Sequence, residues 1–275
     1  MTLLEGRDLA AGIRAEAAEL AAGGPPPVLA AVVATDDPAT AWYLGSIAKA
    51  AASVGIAFRE ERLPDGDNDA VLARLDSLSR DPAVDAIICM TPLPAGLSLA
   101  EAGEHIAPEK DVDGASPTSL GRLAAGRPAF APATAQAVVE LLHHSGTALS
   151  GARAVIVGRS TVVGKPLAML LLRDDATVTV CHSRTRDLAG ETSRADILVA
   201  AAGSAHLIGS GHVKPGAVVI DVGTNETASG EMVGDVDTAA VEAVASAVTP
   251  VPGGVGPVTT AVLLRNVVTA AASTP

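Results

Sequence analysis

The chain has 275 residues, enough for one large domain or two ordinary ones, and its 48% hydrophobic and 18% charged residues exclude a disordered chain. A net charge of −12 without any Lys/Arg cluster excludes a protein held by a phosphate backbone or an anionic membrane, so neither nucleic acid nor a membrane is an expected partner. Cys89 and Cys181 sit in apolar runs without CxxC or Cys/His spacing, and the N-terminus has no signal-peptide pattern. No metal site, no disulfide scaffold, no membrane-spanning run and a cytoplasmic location are therefore expected.

Helix-like and strand-like segments alternate along the chain. Residues 8–22 read as a helix, Val28 to Ala34 as an apolar strand, 40–54 as a helix, Phe58 to Leu63 as a strand and Asn68 to Ser79 as a helix. Ala86 to Thr91 is a further apolar strand. The Pro-, Asp- and Gly-rich stretch 107–121 reads as a long loop of the kind that carries function. After a helix from Gln136 to His144 come strands at 154–157, 177–181, 196–201 and 217–221, with a helix at 165–173. A Pro/Gly loop at 249–260 leads to a last helix at 261–272. Buried apolar strands alternating with helices predict an α/β fold with a parallel sheet. With four aromatic residues in all (Trp42, Tyr43, Phe58 and Phe130), the core must be built from Ala, Val, Leu and Ile.

The segment AVIVGRSTVVGKP (154–166) is a strand, a loop containing Gly158 and Gly164, and a helix start. Its glycines allow close backbone approach, and the helix N-terminus offers free N–H groups to a diphosphate. It is neither GxGxxG nor a Walker loop, because the glycine spacing is one residue too long and Pro166 stands where Ser or Thr would be needed. At the end of the next strand an NAD site would carry an acid for the ribose hydroxyls. Here stand His182, Ser183 and Arg184, with Arg159 in the preceding loop. Donors and positive charge suit a 2′-phosphate, so the expected cofactor is NADP.

These strings, with KPGAVVIDVG (214–223), GDVD (234–237), TPVPGGVGPVTTAVLLRN (249–266), DPATAWY (37–43), PLP (92–94) and EKDVDGASP (109–117), resemble the bifunctional methylenetetrahydrofolate dehydrogenase/methenyltetrahydrofolate cyclohydrolase family over nearly the whole chain. The resemblance implies two α/β domains: a catalytic, folate-binding domain over 1–135 plus 260–275, and a Rossmann NADP-binding domain with a parallel sheet over 136–259. It implies oxidation of 5,10-methylenetetrahydrofolate by NADP, hydrolysis of the methenyl product, and a homodimer formed through the Rossmann domain. It assigns Tyr43 to stacking on the folate and Asp113 to gripping the pterin, whose N–H edge suits a carboxylate. Pro92, Leu93, Gly253, Gly254, Pro257 and Thr259 match substrate-side positions. Gly158, Arg159, Ser160, Gly164, His182, Ser183, Arg184 and Thr224 match the cofactor side; Thr224 stands where the family often has Ile.

The sequence also departs from the family pattern. Where the family has a catalytic Lys four residues after its Tyr, this chain has Ile47, and where it has Gln before the LPLP run, this chain has Met90. Lys49 lies two residues on, about 200° around a helix from position 47. Hydride transfer needs positioning above all, whereas hydrolysis needs a proton donor and an activated water. The expectation is an NADP-dependent methylenetetrahydrofolate dehydrogenase of one-carbon metabolism with weak or absent cyclohydrolase activity. The alternatives are a dehydrogenase of the same fold for another substrate, and a non-catalytic folate- and NADP-binding protein.

Overall fold

A computed structural model describes residues 1–63, 66–227 and 229–273. After β1 (Thr2–Leu3) the first half runs α1 (Arg7–Ala21), β2 (Val28–Val33), α2 (Pro38–Ser53), β3 (Ala57–Arg62), α3 (Asn68–Arg80), β4 (Ala86–Cys89), α4 (Leu99–Glu104) and α5 (Pro117–Ala124). The second half runs α6 (Ala133–His144), β5 (Arg153–Val157), α7 (Gly164–Arg173), β6 (Thr177–Cys181), α8 (Leu188–Thr192), β7 (Ile197–Ala200) and β8 (Val218–Asp221). It continues through β9 (Asn225–Glu226), β10 (Met232–Val233), α9 (Thr238–Val241), β11 (Ala247–Val248) and α10 (Val255–Ser273).

The chain forms two compact units, residues 1–10 with 134–259, and residues 11–133 with 260–275. The domain boundaries expected from the resemblance place residues 1–10 with the folate-binding half. They lie in the other unit because β1 pairs in parallel with β11, and the Gly6 N–H donates to the Gly253 carbonyl at 2.9 Å.

The unit containing 134–259 is built on a six-stranded sheet in the order β1-β11-β8-β7-β5-β6, parallel at every pairing. All four residues of β7 are buried, as expected of a central strand covered on both faces. From β5 the chain crosses to β6 on one side and then back to β7 on the other. The strand order therefore reverses beside β5, which opens a crevice at the carboxyl ends of β5 and β7 where ligands of such sheets bind.

The other unit repeats this plan on a smaller scale. Its three parallel strands lie in the order β3-β2-β4, so the order reverses beside β2. Ala30, Val32, Val71, Leu75, Ile87 and Ala102 form the centre of its core. The Asp37 side chain caps α2, accepting from the Thr40 N–H at 2.8 Å, and the Thr40 hydroxyl donates to the Thr91 carbonyl at 2.9 Å. The start of α2 is thereby tied to the loop that follows β4.

Two expected loops are corrected. The 107–121 loop is shorter than read, because Ser116 caps α5 and Pro117 occupies its first turn. α10 begins at Val255, inside the expected 249–260 loop, with Pro257 in the first turn, where no N–H is needed. By length and composition α10 is also apolar enough to cross a membrane, although no such run was expected; half of it is buried within the protein, with Val258, Val262, Leu264 and Val267 wholly so. It packs as a core helix. Of the two free cysteines, Cys181 is buried and Cys89 only half-buried.

Candidate active site

In the 134–259 unit the loop after β5 is shaped by its glycines. Gly158 has φ +136°, and a side chain there would overlap the carbonyl of Ala201, the residue that follows β7. A side chain on Gly164 would overlap the Gly158 carbonyl, so the start of α7 packs directly on the loop. The Ser160 hydroxyl accepts from the Val163 N–H at 3.1 Å, and no side chain of the N-cap residue closes the helix end. The backbone is thus bare and closely apposed, with a helix dipole aimed outward, as a diphosphate requires.

His182, Ser183 and Arg184 form the turn after β6. The Arg184 N–H donates to His182 Nδ1 at 3.1 Å, which leaves Nε2 to carry the proton of the neutral ring, and Thr185 Oγ1 accepts from the His182 N–H at 2.9 Å. Ser183, Arg184 and Arg159 are exposed. These groups suit a 2′-phosphate: exposed donors and two guanidinium charges just beyond strand ends, without a carboxylate. Thr224, also exposed, follows β8.

In the 11–133 unit the KDVDG loop lies beside β4, where the Ile87 N–H donates to the Lys110 carbonyl at 2.8 Å. Its two aspartates have different fates. Buried Asp111 accepts from the Ala115 N–H at 3.1 Å, the Ser116 N–H at 3.0 Å and the Ser119 hydroxyl at 2.6 Å. It folds the loop onto α5 and is fully occupied. Asp113 accepts the N–H of Ala133 at the start of α6, and burial, with the Asp111 charge adding to it, pushes its carboxyl up to about 7. Gly114, at φ +59°, is pressed against the backbone of 130–132, which fixes where Asp113 stands. Tyr43 is 39% exposed; burial raises its hydroxyl pKa, and the Asp113 charge raises it further, so the two expected folate residues lie within electrostatic reach of each other.

Residues 4–113 match the family profile for the tetrahydrofolate dehydrogenase/cyclohydrolase catalytic domain, and residues 132–274 match that for its NAD(P)-binding domain. The chain belongs to the tetrahydrofolate dehydrogenase/cyclohydrolase family. The bifunctional protein FolD of Nocardia farcinica is 57% identical over 273 residues, covering 98% of this chain and 96% of that one. The FolD methylenetetrahydrofolate dehydrogenase/cyclohydrolase of Campylobacter jejuni superimposes with a TM-score of 0.96 at 41% identity, covering 99% of each chain. The Trypanosoma brucei dehydrogenase-cyclohydrolase, solved with NADP cofactor and an inhibitor, gives 0.91 at 36% identity, covering 98% of this chain and 97% of that one.

Within this family member the two departures from the pattern are both internal. Ile47 is 1% exposed on the buried face of α2, with Leu44 and Ala51, and Met90 is 8% exposed. Lys49 is exposed on another face of α2, and Lys110 donates to the Asp81 carbonyl at 2.7 Å. Among the described residues of this unit, neither lysine stands in for the missing one. Pro92 is exposed and Leu93 half-buried in the loop after β4. Gly253, Gly254, Pro257 and Thr259 belong to the other unit, where a side chain on Gly254 would come within 2.7 Å of the Pro250 carbonyl. Two surface depressions, one near Leu3, Asp8 and His144 and one near Asp67 and Pro94, contain none of the expected residues.

Two further residues carry no role in the sequence reading although they lie in its motifs. Asp221 and Asp235 are buried carboxylates of VVID and GDVD. Asp221 accepts from the N–H groups of Gly223, Asp235 and Val236 at 2.9–3.0 Å. Burial pushes its carboxyl up to about 6 against the pull of those donors, and the Asp235 charge adds to the rise. A carboxylate ending the otherwise apolar strand VVID, with Gly223 two residues on, was the available signal: such a group must find N–H donors nearby.

Proposed function

We propose that the protein oxidises 5,10-methylenetetrahydrofolate with NADP and hydrolyses the methenyl product weakly or not at all. The observation that carries the folate reading is the contrast within KDVDG: Asp111 is consumed by the loop, whereas Asp113 is a largely desolvated carboxyl beside Tyr43 with acceptor capacity left over. A carboxyl with a pKa near 7 gains most from a ligand that brings N–H donors, as a pterin edge does. Tyr43 offers a flat ring for the folate to stack on. NADP, when bound, supplies the acceptor for the hydride leaving the methylene carbon. Gly158, Ser160 and Gly164 would lie under its diphosphate, and Arg159, His182, Ser183 and Arg184 at its 2′-phosphate.

Hydrolysis would require a proton donor and an activated water at the methenyl bridge itself; Asp113 is committed to the pterin edge in this reading, and the side chains at 47 and 90 are apolar and buried. The first experiment follows NADP reduction with methylenetetrahydrofolate, with NAD as control, and methenyltetrahydrofolate hydrolysis in parallel. Robust reduction with NADP, at least about tenfold over NAD, and hydrolysis below about 1% of it are expected. Absent NADP reduction overturns the dehydrogenase reading, and hydrolysis matching the dehydrogenase rate overturns the hydrolysis reading. Ile47→Lys alone should destabilise the protein by several kcal/mol, because it buries an unpaired charge. Ile47→Lys with Met90→Gln should recover part of that loss and gain hydrolysis.

We also propose a cytoplasmic homodimer. The support is the edge of the large sheet: β6 (TVTVC) carries no charge, Val180 is 37% exposed, and Leu172 on the preceding helix is 57% exposed. A flat uncharged edge strand is protected in most proteins by pairing or by charge. Val180→Lys is expected to shift the sedimenting species from twice the chain mass to once; an unchanged dimer would remove β6 from the interface.

A further inference from the structure

Asp235 is wholly buried, and its carboxylate is surrounded by donors. Oδ2 accepts from the N–H groups of Ala202 at 2.6 Å and Gly203 at 3.0 Å. Oδ1 accepts from the Ser204 N–H at 2.8 Å and from Asn225 Nδ2 at 2.9 Å. One side chain therefore ties the loop after β7 (201–204) to the base of the β9–β10 hairpin after β8. Both loops leave the carboxyl ends of the central strands, and Thr224 stands immediately before Asn225. Gly223 has no room for a side chain beside the Asp235 carboxylate, so the packing is tight as well as polar.

The knot also decides what the 201–204 loop presents. A trans peptide sets each N–H opposite the carbonyl of the residue before it. With the N–H groups of 202–204 turned inward to Asp235, the carbonyls of Ala201, Ala202 and Gly203 are turned the other way. Ala201 fixes that direction, since its carbonyl faces the Cα of Gly158 in the dinucleotide loop. Ala202, Gly203 and Ser204 are exposed although their N–H groups reach a buried carboxylate. The loop is thus a wall of acceptors, suited to hydroxyl and amide donors and unsuited to phosphate.

We propose that Asp235 is a positioning residue for the nicotinamide end of the cofactor, holding the 201–204 carbonyls toward the ribose hydroxyls or carboxamide and fixing Thr224 through Asn225. This rests on the NADP reading above. The test uses the full chain and compares Asp235→Asn, Asn225→Ala and the exchange that combines Asp235→Asn with Asn225→Asp. Affinities for NADP and for 2′,5′-ADP, which lacks the nicotinamide half, are measured by calorimetry beside turnover. Asp235→Asn sets an amide N–H₂ against N–H donors; Asn225→Ala removes one donor and leaves the rest of the cradle, so it is the variant least prone to misfold.

Both single variants should retain 2′,5′-ADP affinity within about twofold, lose about tenfold in NADP affinity and lose about a hundredfold in kcat, the scale of an ångström misplacement. The exchange should recover at least about tenfold of kcat. In it the new amide at position 235 donates to the new carboxylate at position 225 and its carbonyl oxygen still accepts from Ala202 and Gly203; only the Ser204 N–H loses its acceptor, so the recovery is partial. Unchanged kcat in Asn225→Ala and Asp235→Asn, or 2′,5′-ADP affinity falling in step with NADP affinity, overturns the proposal. A wild-type protein that binds NAD but not 2′,5′-ADP overturns the NADP reading itself.

Discussion

Asp113→Asn is expected to make the protein more stable at pH 8 and nearly useless as a folate enzyme. The folded protein holds the Asp113 carboxyl at about 7, against 3.8 for the free group, so between those values the folded chain keeps a proton that the unfolded chain has released. Stability contributed by the protonated form is complete below pH 3.8 and is lost as the pH rises through 7. At pH 8 the buried charge costs on the order of 3 kcal/mol, which Asn removes. Urea unfolding of both proteins should show no difference near pH 4, a gap that opens across about pH 4–7, and a constant gap above. Asp221 titrates with the same sign in both proteins and cancels in the difference. Loss of a charge-assisted contact to the pterin should raise the folate KM about 10–100-fold. A stability gap independent of pH would sink the burial account, and an unchanged KM would sink the pterin role.

The second large effect belongs to the dinucleotide loop. Gly158→Ala forces a side chain into a φ of +136° and into the Ala201 carbonyl at once. Together these cost about 3 kcal/mol or more, a fall of about 6–12 °C in Tm for a protein of this size. Because the same movement displaces the start of α7, NADP affinity should fall by at least about tenfold. Gly151→Ala is the control. Gly151 also has positive φ, +77°, but a side chain there meets nothing within 4 Å, so about 1 kcal/mol is expected. Equal losses in the two variants, or unchanged NADP affinity in Gly158→Ala, would contradict this view of the loop.

Much of this was legible in the residues. Val28–Val33 and Val218–Asp221 read as strands because a strand buried on both faces is a short apolar run, whereas Thr177–Cys181, at the exposed edge of the sheet, reads as one from its alternation of Thr and Val. The two-residue strands β1, β9, β10 and β11 were invisible: pairing partners elsewhere along the chain create them, and two residues carry no period. The Ser116–Pro117 cap of α5 was present in the sequence, yet it was masked by the Pro, Asp and Gly around it. At the site, spacing and resemblance singled out Asp113 over Asp111, but the reason is three-dimensional: the donors that consume Asp111 lie on 115, 116 and 119. The donors around Asp235 come from 202–204 and 225, and no local pattern connects them.

The division of the chain into 1–10 with 134–259, and 11–133 with 260–275, has a consequence for synthesis. A ribosome makes β1 first but must add most of the chain before β11, its pairing partner, exists. The large sheet then has all its strands by Val248, while the unit made earlier still lacks residues 260–275, including Asn266, whose side chain donates to the Val112 carbonyl at 2.9 Å. The half of the protein that is synthesised first is therefore completed last. Until residues 260–275 are made, the apolar surface they cover stays open to aggregation, and a chain truncated before residue 260 should keep the large sheet but lose the half that holds Asp113.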